Sequence, residues 1–442
     1  MKSTHTAALL LAMAATPAVW AATPQEEDAS NPIQIKRTDE EVRDILKHSR
    51  PDDAHSVPVP NFVVKSRNNN FILALGGMIN PIMGGDIGND LYKQSGAGIS
   101  FVTSQIPVPA TAHHKGDFYI NPINGALDLQ ITGLANTPDE ITGYVKVGTN
   151  GINTNIVLQR AYLTYRHFQA GMQLTLAQDA EACQPPTIDP QGPSGCLSAV
   201  AYEVAYKSKD YDGFRFAAAI DMPTYYSSNG YYRGKDFPAY KDKQVSVSAE
   251  QYIPDVPLWV EYTFSPNNRI RLTGLLRSFH YRDLVADKTR YQPGFGVMLS
   301  GNVSPIKPLI FYYQLAYGKG IGAYLQDLAG QEFSYTPDDA HPGRMKASPM
   351  MGANIGVTYN ATSRLQFNAM FSESRIWGVS AYATAPDSGC NYKYALYAAA
   401  NCFYNITPYL QWGIEYLWGH KQTWDIGGAH DSRIQTQLAF TF

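Results

Sequence analysis

From Asn70 to the C-terminus, apolar and polar residues alternate with a period of two, and this alternation limits the possible folds more than any other feature. It is clear in QVSVSAEQY (244–252), RLQFNAMFS (364–372) and RIQTQLAFTF (433–442). Successive side chains of a β-strand point to opposite faces, so each segment predicts a strand with one apolar face. Long helical periodicity is missing, which predicts an all-β chain.

The composition narrows the class of protein further. Only 17% of the residues are charged, 12% are aromatic, and the net charge is −3. This balance gives no reason to expect a nucleic-acid partner. Beyond the N-terminus no stretch of about 18 apolar residues exists, which excludes helical membrane spans. A mean hydropathy of −0.26 is compatible with a membrane β-barrel, because polar residues facing the lumen dilute the apolar ones.

The N-terminal stretch MKSTHTAALLLAMAATPAVWA (1–21) has the order of parts of a secretory signal peptide. Lys2 supplies the positive charge, residues 7–15 form a short apolar core, and Ala21 is the small residue before cleavage. The sequence therefore predicts a signal peptide over residues 1–21 and export from the cytoplasm, where disulfides can form.

Four cysteines occur as two local pairs, Cys183 with Cys196 and Cys390 with Cys402. Spacing of the C-x-x-C type used for metals is absent, and no cofactor is expected. Two disulfides are the first expectation. Free buried thiols are the alternative, and it is stronger for the second pair because Cys402 lies within a strand pattern.

Residues 22–69 differ from the rest and predict a short periplasmic arm. Within it TDEEVRDILKH (38–48) has an N-cap and a narrow apolar stripe made by Val42, Ile45 and Leu46, which indicates a short helix. The arm is expected to dock under the rest of the protein, to pair with copies of itself, or to act as a tether; the sequence leaves these open.

Short turns and long polar connections alternate along residues 70–442, which is typical of an outer-membrane barrel. About sixteen antiparallel transmembrane strands can be placed, with YIPDVP (252–257) as a bulge inside one strand over 244–263 so that the count stays even. We therefore predict a Gram-negative outer-membrane barrel with both ends periplasmic, in contact with membrane lipid and lipopolysaccharide.

Lipid tolerates no charge at mid-depth, so alternation also predicts which side chains face the lumen. Arginines recur on that side of several strands. Such a wall attracts anions, unless its arginines merely pair with lumen acids. The predicted pore-lining residues are Arg160, Tyr162, Arg166, Arg215, Arg271, Arg277, Arg364, Arg433, Glu203 and Glu261.

A Pro-rich connection, AQDAEACQPPTIDPQGPSGCLS (177–198), contains the first cysteine pair. A stiff loop folded inward would narrow a wide pore, with Asp179, Glu181 and Asp189 facing the arginines. An ordinary outer surface loop is the alternative.

Several segments resemble the DcaP-like outer-membrane porins. The matching stretches are LQRAYLTYRHFQAGMQLTLAQD (158–179), PPTIDPQGPSG (185–195), AAAIDMP (217–223) and IPDVPLWVEYTFSPNNRIRLTGLLRS (253–278). The resemblance implies a homotrimer of 16-stranded barrels that takes up dicarboxylates and other small anions, with Arg160, Arg271 and Arg277 at basic lumen positions.

The function expected from these features is passive diffusion of small solutes, with a preference for small anions. A transporter for hydrophobic compounds is the first alternative, although inward arginines argue against an apolar lumen. An outer-membrane barrel enzyme is less favoured: the histidines are scattered and no G-x-S-x-G elbow is present, so no enzymatic activity is expected.

Overall fold

The computed structural model describes residues 45–46, 62–66, 70–89, 91, 98–108, 115–121, 124–149, 156–224, 231–233, 244–248, 253–328, 334–338, 340–378 and 392–442. Within these ranges, no helix has the length and apolar character needed to cross a bilayer. The predicted signal peptide (1–21) lies outside the described residues, as does most of the predicted arm (22–69).

The described residues are mostly strand. A short α-helix, α1 (Ala180–Cys183), and two 3₁₀ turns, Thr103–Gln105 and Gly322–Tyr324, interrupt them, and Ile45, Leu46 and Leu91 also have helical backbone. In chain order the strands are β1 Phe62–Lys65, β2 Phe71–Ile79, β3 Ile82–Asn89, β4 Lys115–Asn121, β5 Gly125–Gly133, β6 Ile141–Thr149, β7 Ile156–Tyr165, β8 Phe168–Leu174, β9 Val200–Lys207, β10 Phe214–Pro223, β11 Tyr231–Arg233, β12 Gln244–Ser248, β13 Val256–Ser265, β14 Asn268–Asp283, β15 Lys288–Ile306, β16 Leu309–Lys319, β17 Tyr335–Pro337, β18 Met345–Ala347, β19 Pro349–Asn360, β20 Leu365–Ile376, β21 Tyr392–Thr407, β22 Leu410–Thr423 and β23 Gly428–Thr441.

Sixteen antiparallel strands form a closed barrel, and the predicted fold class is confirmed. The first two strands are each interrupted, so that β2 and β3 together make the first and β4 and β5 the second. Pro81 separates β2 from β3, as expected for a residue with no N–H to donate to a ladder. Strand β23 closes the ring by pairing with both parts of the first strand, Arg433 opposite Asp86 and Phe440 opposite Ile79.

Burial alternates along the strands as the sequence predicts. In β10, Phe216 and Ile220 are 46% and 57% exposed on the outside, whereas Ala219 and Asp221 are 5% and 0% exposed on the inside. Closure satisfies the backbone N–H and C=O groups of every barrel strand, so an apolar exterior can meet lipid without unpaired backbone. The outer face is therefore the membrane-facing one.

The bulge predicted within 244–263 matches the strand pairing. Both β12 and β13 pair with the same edge of β14, Ser248 opposite Tyr281 and Val256 opposite Leu276. The β12–β13 side thus carries three more residues than β14 over the same length. Extra residues on one strand of a pair are what defines a bulge, and the even strand count is preserved.

The connections at one end of the barrel have at most seven residues, and the longest connections lie at the other end. Three long connections are named loop 1 (90–114), loop 3 (175–199) and loop 6 (320–348). Phe101 of loop 1, Cys196 of loop 3 and Leu325 of loop 6 are each fully buried. The described parts of these loops therefore fold into the barrel rather than over its outside.

The seam between the last and first strands includes a segment that precedes the barrel. Strand β1 pairs antiparallel with β2, so it runs in the same direction as β23. The chain-terminal Phe442 exchanges two backbone hydrogen bonds of 3.0 Å with Gly77, and its ring lies 6.2 Å from the ring of Phe62. Strand β1 therefore continues the line of β23 along β2, and the sheet includes residues that the sequence assigned to the arm.

Candidate functional site: the barrel interior

Loop 3 crosses the interior and is closed on itself. A disulfide joins Cys183 to Cys196, with the two Cα atoms 5.9 Å apart. The backbone of the loop also pairs with loop 6, because Ser198 N donates to Tyr324 O at 2.7 Å and Gln326 N donates to Cys196 O at 2.9 Å. Loop 3 is thus stiffened by a covalent bond and by a neighbouring inward loop.

The first anchor of loop 3 is its own residue Asp179, which lies against the inner wall formed by β14 and β15. Its carboxylate accepts a hydrogen bond from Ser300 Oγ at 2.6 Å and forms an ion pair with Arg269. Two residues later in loop 3, the backbone O of Glu181 accepts a hydrogen bond of 2.9 Å from Asn302 Nδ2 of β15. The Glu181 carboxylate lies 3.1 Å from Arg269 Nε. Asp179 and Glu181 therefore face arginines, as the sequence predicts.

The second anchor is Glu415, a buried side chain on the inner face of β22. Its carboxylate accepts hydrogen bonds from three loop 3 groups: Thr187 Oγ1 at 2.6 Å, Ile188 N at 3.1 Å and Asp189 N at 2.9 Å. The wall residues Asn401 and Gln435 donate to it as well, at 2.8 and 2.9 Å. A carboxylate with five donors is a strong fixed point, since hydrogen bonds to ionised groups exceed neutral ones in strength.

Asp189 of loop 3 binds loop 1 rather than an arginine. It accepts hydrogen bonds from Phe101 N at 2.9 Å and from Tyr397 Oη at 3.0 Å. Burial is the main cause that raises the pKa of this carboxyl to about 6, with the nearby Glu415 charge acting in the same direction. The Arg433 charge acts on the pKa in the opposite direction, so Asp189 faces one arginine of the predicted wall, while its hydrogen-bond donors are backbone N–H groups and Tyr397.

Asp327 of loop 6 repeats this arrangement. It accepts hydrogen bonds from Ser104 N of loop 1 at 2.8 Å and from Tyr392 Oη of β21 at 2.9 Å. Two buried aspartates therefore tie loops 1, 3 and 6 to each other and to the wall of β21.

Three arginines meet on the inner wall near the short-turn end of the barrel. Arg269 Nη1 and Arg271 Nε lie 2.5 and 2.8 Å from the Glu261 carboxylate, and Arg215 Nε lies 3.1 Å from it. The Arg271 guanidinium also stacks over the Trp259 ring, 4.3 Å from its centroid. The wall predicted from alternation thus exists here, with Glu261 at its centre.

Arg277 and Arg433 hold inward loops in place. Arg277 Nε lies 2.9 Å from Asp255, whose carboxylate also accepts a hydrogen bond from Tyr324 Oη of loop 6 at 2.8 Å. Arg433 makes two bonds to Asp86, of 2.5 and 3.2 Å, and donates to Ile99 O of loop 1 at 2.7 Å. Both arginines therefore serve as loop anchors as well as wall residues.

Other predicted pore-lining residues face inward on the remaining strands. Glu203 on β9 accepts hydrogen bonds from Gln173 and from Leu176 N, at the start of loop 3. On β7, Arg160 and Tyr162 are 5% and 6% exposed, and the Tyr162 ring lies 5.3 Å from that of Tyr144. These side chains are covered on the inner wall.

Two predicted pore-lining arginines lie elsewhere. Arg166 occupies the tight connection between β7 and β8 with a positive φ of 53°, and it pairs with Asp139 of the neighbouring connection. Arg364 is exposed in the connection before β20. Each arginine lies one residue outside its strand, Arg166 after β7 and Arg364 before β20. The direction of a side chain follows the period of two only within a strand, so the alternation predicted both directions wrongly.

The expected bond between Cys390 and Cys402 is wrong. Cys402 is a free thiol on the outer face of β21, and Cys390 lies outside the described residues. A free thiol is the alternative that the sequence left open for this pair.

Sequence reasoning missed Arg269, Asp255 and Asp327. Arg269 shares a face with Arg271 two positions away, so the same alternation contained the signal. Asp255 lies at the bulge and Asp327 in a loop, where no period applies. Their roles come from contacts between segments far apart in the chain.

The described interior is not a basic surface overall. Twelve Asp and Glu side chains are buried, against six Arg and Lys side chains. Within the described residues, no group of three or more His, Cys, Asp and Glu side chains is arranged to hold a metal ion. The buried arginines near Glu261, Asp255 and Asp86 balance acids, which limits any excess of positive charge.

Solved structures share this fold. The outer membrane channel DcaP of Acinetobacter baumannii is 16% identical, with 86% of this chain and 99% of that chain covered and a TM-score of 0.67. An anion-selective porin from Comamonas acidovorans is 8% identical, with 84% and 100% covered and a TM-score of 0.53. Outer-membrane expressed OmpT of Vibrio cholerae is 10% identical, with 86% and 100% covered and a TM-score of 0.50.

No protein-family model and no curated protein matches the sequence. At these identities the likeness establishes the fold, and it agrees with the fold expected from the resemblance to DcaP-like porins. The closed barrel with an apolar exterior and a polar interior is that of an outer-membrane protein of a Gram-negative bacterium.

Proposed function

We propose that the protein is an outer-membrane porin through which small solutes diffuse passively. The observation that carries this proposal is a polar barrel interior crossed by loop 3, which is closed by Cys183–Cys196 and anchored at Asp179 and Glu415. A fixed inward loop narrows a wide barrel to a sieve, and no chemical step is needed. Solutes then enter according to their size and charge.

A finer proposal concerns the charge of the solute. Arg215, Arg269 and Arg271 present three guanidinium groups side by side, a donor arrangement that suits carboxylates. Because Glu261 and Asp179 already pair with them, we propose a modest preference for small anions, dicarboxylates among them.

Single-channel recording of the purified protein in planar bilayers tests the porin proposal. Discrete, ohmic conductance steps are expected, and steps in groups of three would support the homotrimer proposed from the sequence. A folded barrel that inserts into bilayers and carries no current would contradict the function.

Reversal potentials under a salt gradient test the anion preference. Replacing both arginines, Arg271→Ala with Arg277→Ala, leaves Glu261 and Asp255 less compensated and should lower the anion-over-cation permeability ratio. An unchanged reversal potential would remove the anion preference while leaving the porin proposal intact.

A further inference from the structure

An apolar surface lies inside the barrel, on the inner wall of its first strands. Ile72 and Ala74 of β2 point inward and are both fully buried. Ala135 in the following connection is 5% exposed, and Val63 of β1 packs against the same cluster. Apolar side chains on the wall of a water-filled channel would be exposed, so this surface requires a cover.

Two residues from the predicted arm lie on this surface. Ile45 and Leu46 are helical, are 1% and 0% exposed, and belong to one apolar cluster with Ile72 and Ala74. The amide of Gln130, which is fully buried on the inner face of β5, donates a hydrogen bond to Leu46 O at 3.3 Å. The apolar stripe of the arm thus has an apolar partner inside the barrel.

The position along the barrel is set by strand pairing. Ile72 lies opposite Thr132 and Ala74 opposite Gln130, close to the short-turn end, where the first strand begins. Neighbouring inward side chains on β6 are covered too, with Thr142 and Tyr144 each 2% exposed. The inner wall of the first strands is therefore not available to solutes at this depth.

We propose that Ile45 and Leu46 act as an internal plug on the wall of β2 and β5, in the periplasmic half of the lumen, and narrow the pore there. The occupant is the chain's own N-terminal segment, and its recognition is apolar, with one backbone hydrogen bond. Release of the plug widens the conducting path. The expected effect on current depends on the proposed porin function. The seating of Ile45 and Leu46 depends only on their burial and contacts.

The double variant Ile45→Asp with Leu46→Asp tests the effect on current. Two carboxylates cannot be buried on Ile72 and Ala74 without partners, so the plug leaves and single-channel conductance rises by about twofold. The matched control is Leu134→Asp, an exposed leucine at the same end of the barrel, which should conduct like the wild type. Wild-type conductance in the double variant would overturn the proposal.

Thiol labelling tests the seating independently of current. In a background with Cys390→Ser and Cys402→Ser, Leu46→Cys should react about tenfold more slowly with a membrane-impermeant maleimide than Leu134→Cys, because burial hides the thiol. Equal rates would overturn the seating whatever the conductance. A wild-type protein that carries no current, combined with slow labelling at position 46, would instead reject the porin proposal and keep the seating.

Discussion

Two walls of the barrel interior are covered by inward segments in different ways. On β21 and β22, loop 3 is fixed by three hydrogen bonds to the Glu415 carboxylate, which also accepts two from the wall residues Asn401 and Gln435. On β2 and β5, the arm residues Ile45 and Leu46 rest on apolar side chains, with one hydrogen bond from Gln130. Releasing loop 3 from Glu415 therefore costs much free energy, whereas the apolar contacts of Ile45 and Leu46 are weak enough to open.

Rough magnitudes support this contrast. Burying one Ile or Leu side chain contributes about 1.5–3 kcal/mol to the free energy of docking. The conformational entropy lost when the chain segment becomes ordered largely offsets this gain. Removing one partner of a buried hydrogen bond to a charged group costs about 1.5–3 kcal/mol for each bond lost. Loop 3 is therefore expected to stay in place under conditions that release the arm.

The largest effect is expected from Glu415→Ala, which removes the anchor of loop 3 on β22. We expect a loss of about 3–5 kcal/mol in the free energy of unfolding, together with a higher conductance, because several buried donors lose one shared acceptor. Urea unfolding and single-channel recording measure the two effects. Gln411→Ala, on the same face but bonded to Asn405 and Gln437, is the control and should leave conductance unchanged.

Next in size is the double variant Cys183→Ala with Cys196→Ala. Closing a loop of this length by a disulfide stabilises by roughly 2–3 kcal/mol, and the same amount should be lost in urea unfolding. The conductance should change less than in Glu415→Ala, since Asp179 and Glu415 still hold the loop. Cys402→Ala is the control for loss of a thiol, and a larger conductance change in the disulfide variant than in Glu415→Ala would contradict the anchoring by hydrogen bonds.

Arg269→Ala compares charge on the wall with charge at the rim. It removes the cation that Asp179, Glu181 and Glu261 all share, while Arg271 still pairs with Asp179 and Glu261, so the reversal potential should shift toward cation selectivity by about twofold in permeability ratio. Arg364→Ala removes the same charge from an exposed connection and should shift it much less. Equal shifts would show that the cluster around Glu261 does not lie on the conducting path.

A smaller, pH-dependent effect is expected at Asp189. Its pKa is raised to about 6, so the stabilisation it contributes is present in full below the unfolded-state value and is lost as pH rises through 6. Thermal unfolding of the wild type at pH 5 and pH 7.5 should differ more than that of Asp189→Asn, which cannot ionise. The donors that face this group are Phe101 N, Gln191 N, Gly192 N and Tyr397 Oη, and the charged neighbours are Glu415 and Arg433. Identical pH dependence in both proteins would contradict the assignment.

The smallest effect is expected from Arg166→Ala. The ion pair with Asp139 joins two neighbouring short connections, and both side chains are more than half exposed. Solvent screens such pairs, so neither the stability nor the reversal potential should change measurably. A measurable change in selectivity would place this arginine on the conducting path after all.

Much of the barrel could be predicted from the sequence because a strand between lipid and lumen has a strict period of two. That period predicted the strands of the barrel and the inward direction of Arg271, Arg277 and Arg433, and the need for an even strand count predicted the bulge within 244–263. It failed at Arg166 and Arg364, where the strands end. The wrong pairing of Cys402 arose from nearness in sequence, which in an extended strand does not mean nearness in space.

What only the tertiary structure decided is which inward residues work together. The alternation along β22 is enough to turn Glu415 inward, but its five donors come from loop 3, β21 and β23. The sequence left three roles of the arm open, and the contacts of Ile45 and Leu46 with Ile72 and Ala74 support the docking proposed above. Alternation along one strand is local and can be read from the chain. Contacts across a barrel depend on ring closure, which brings together residues hundreds of positions apart.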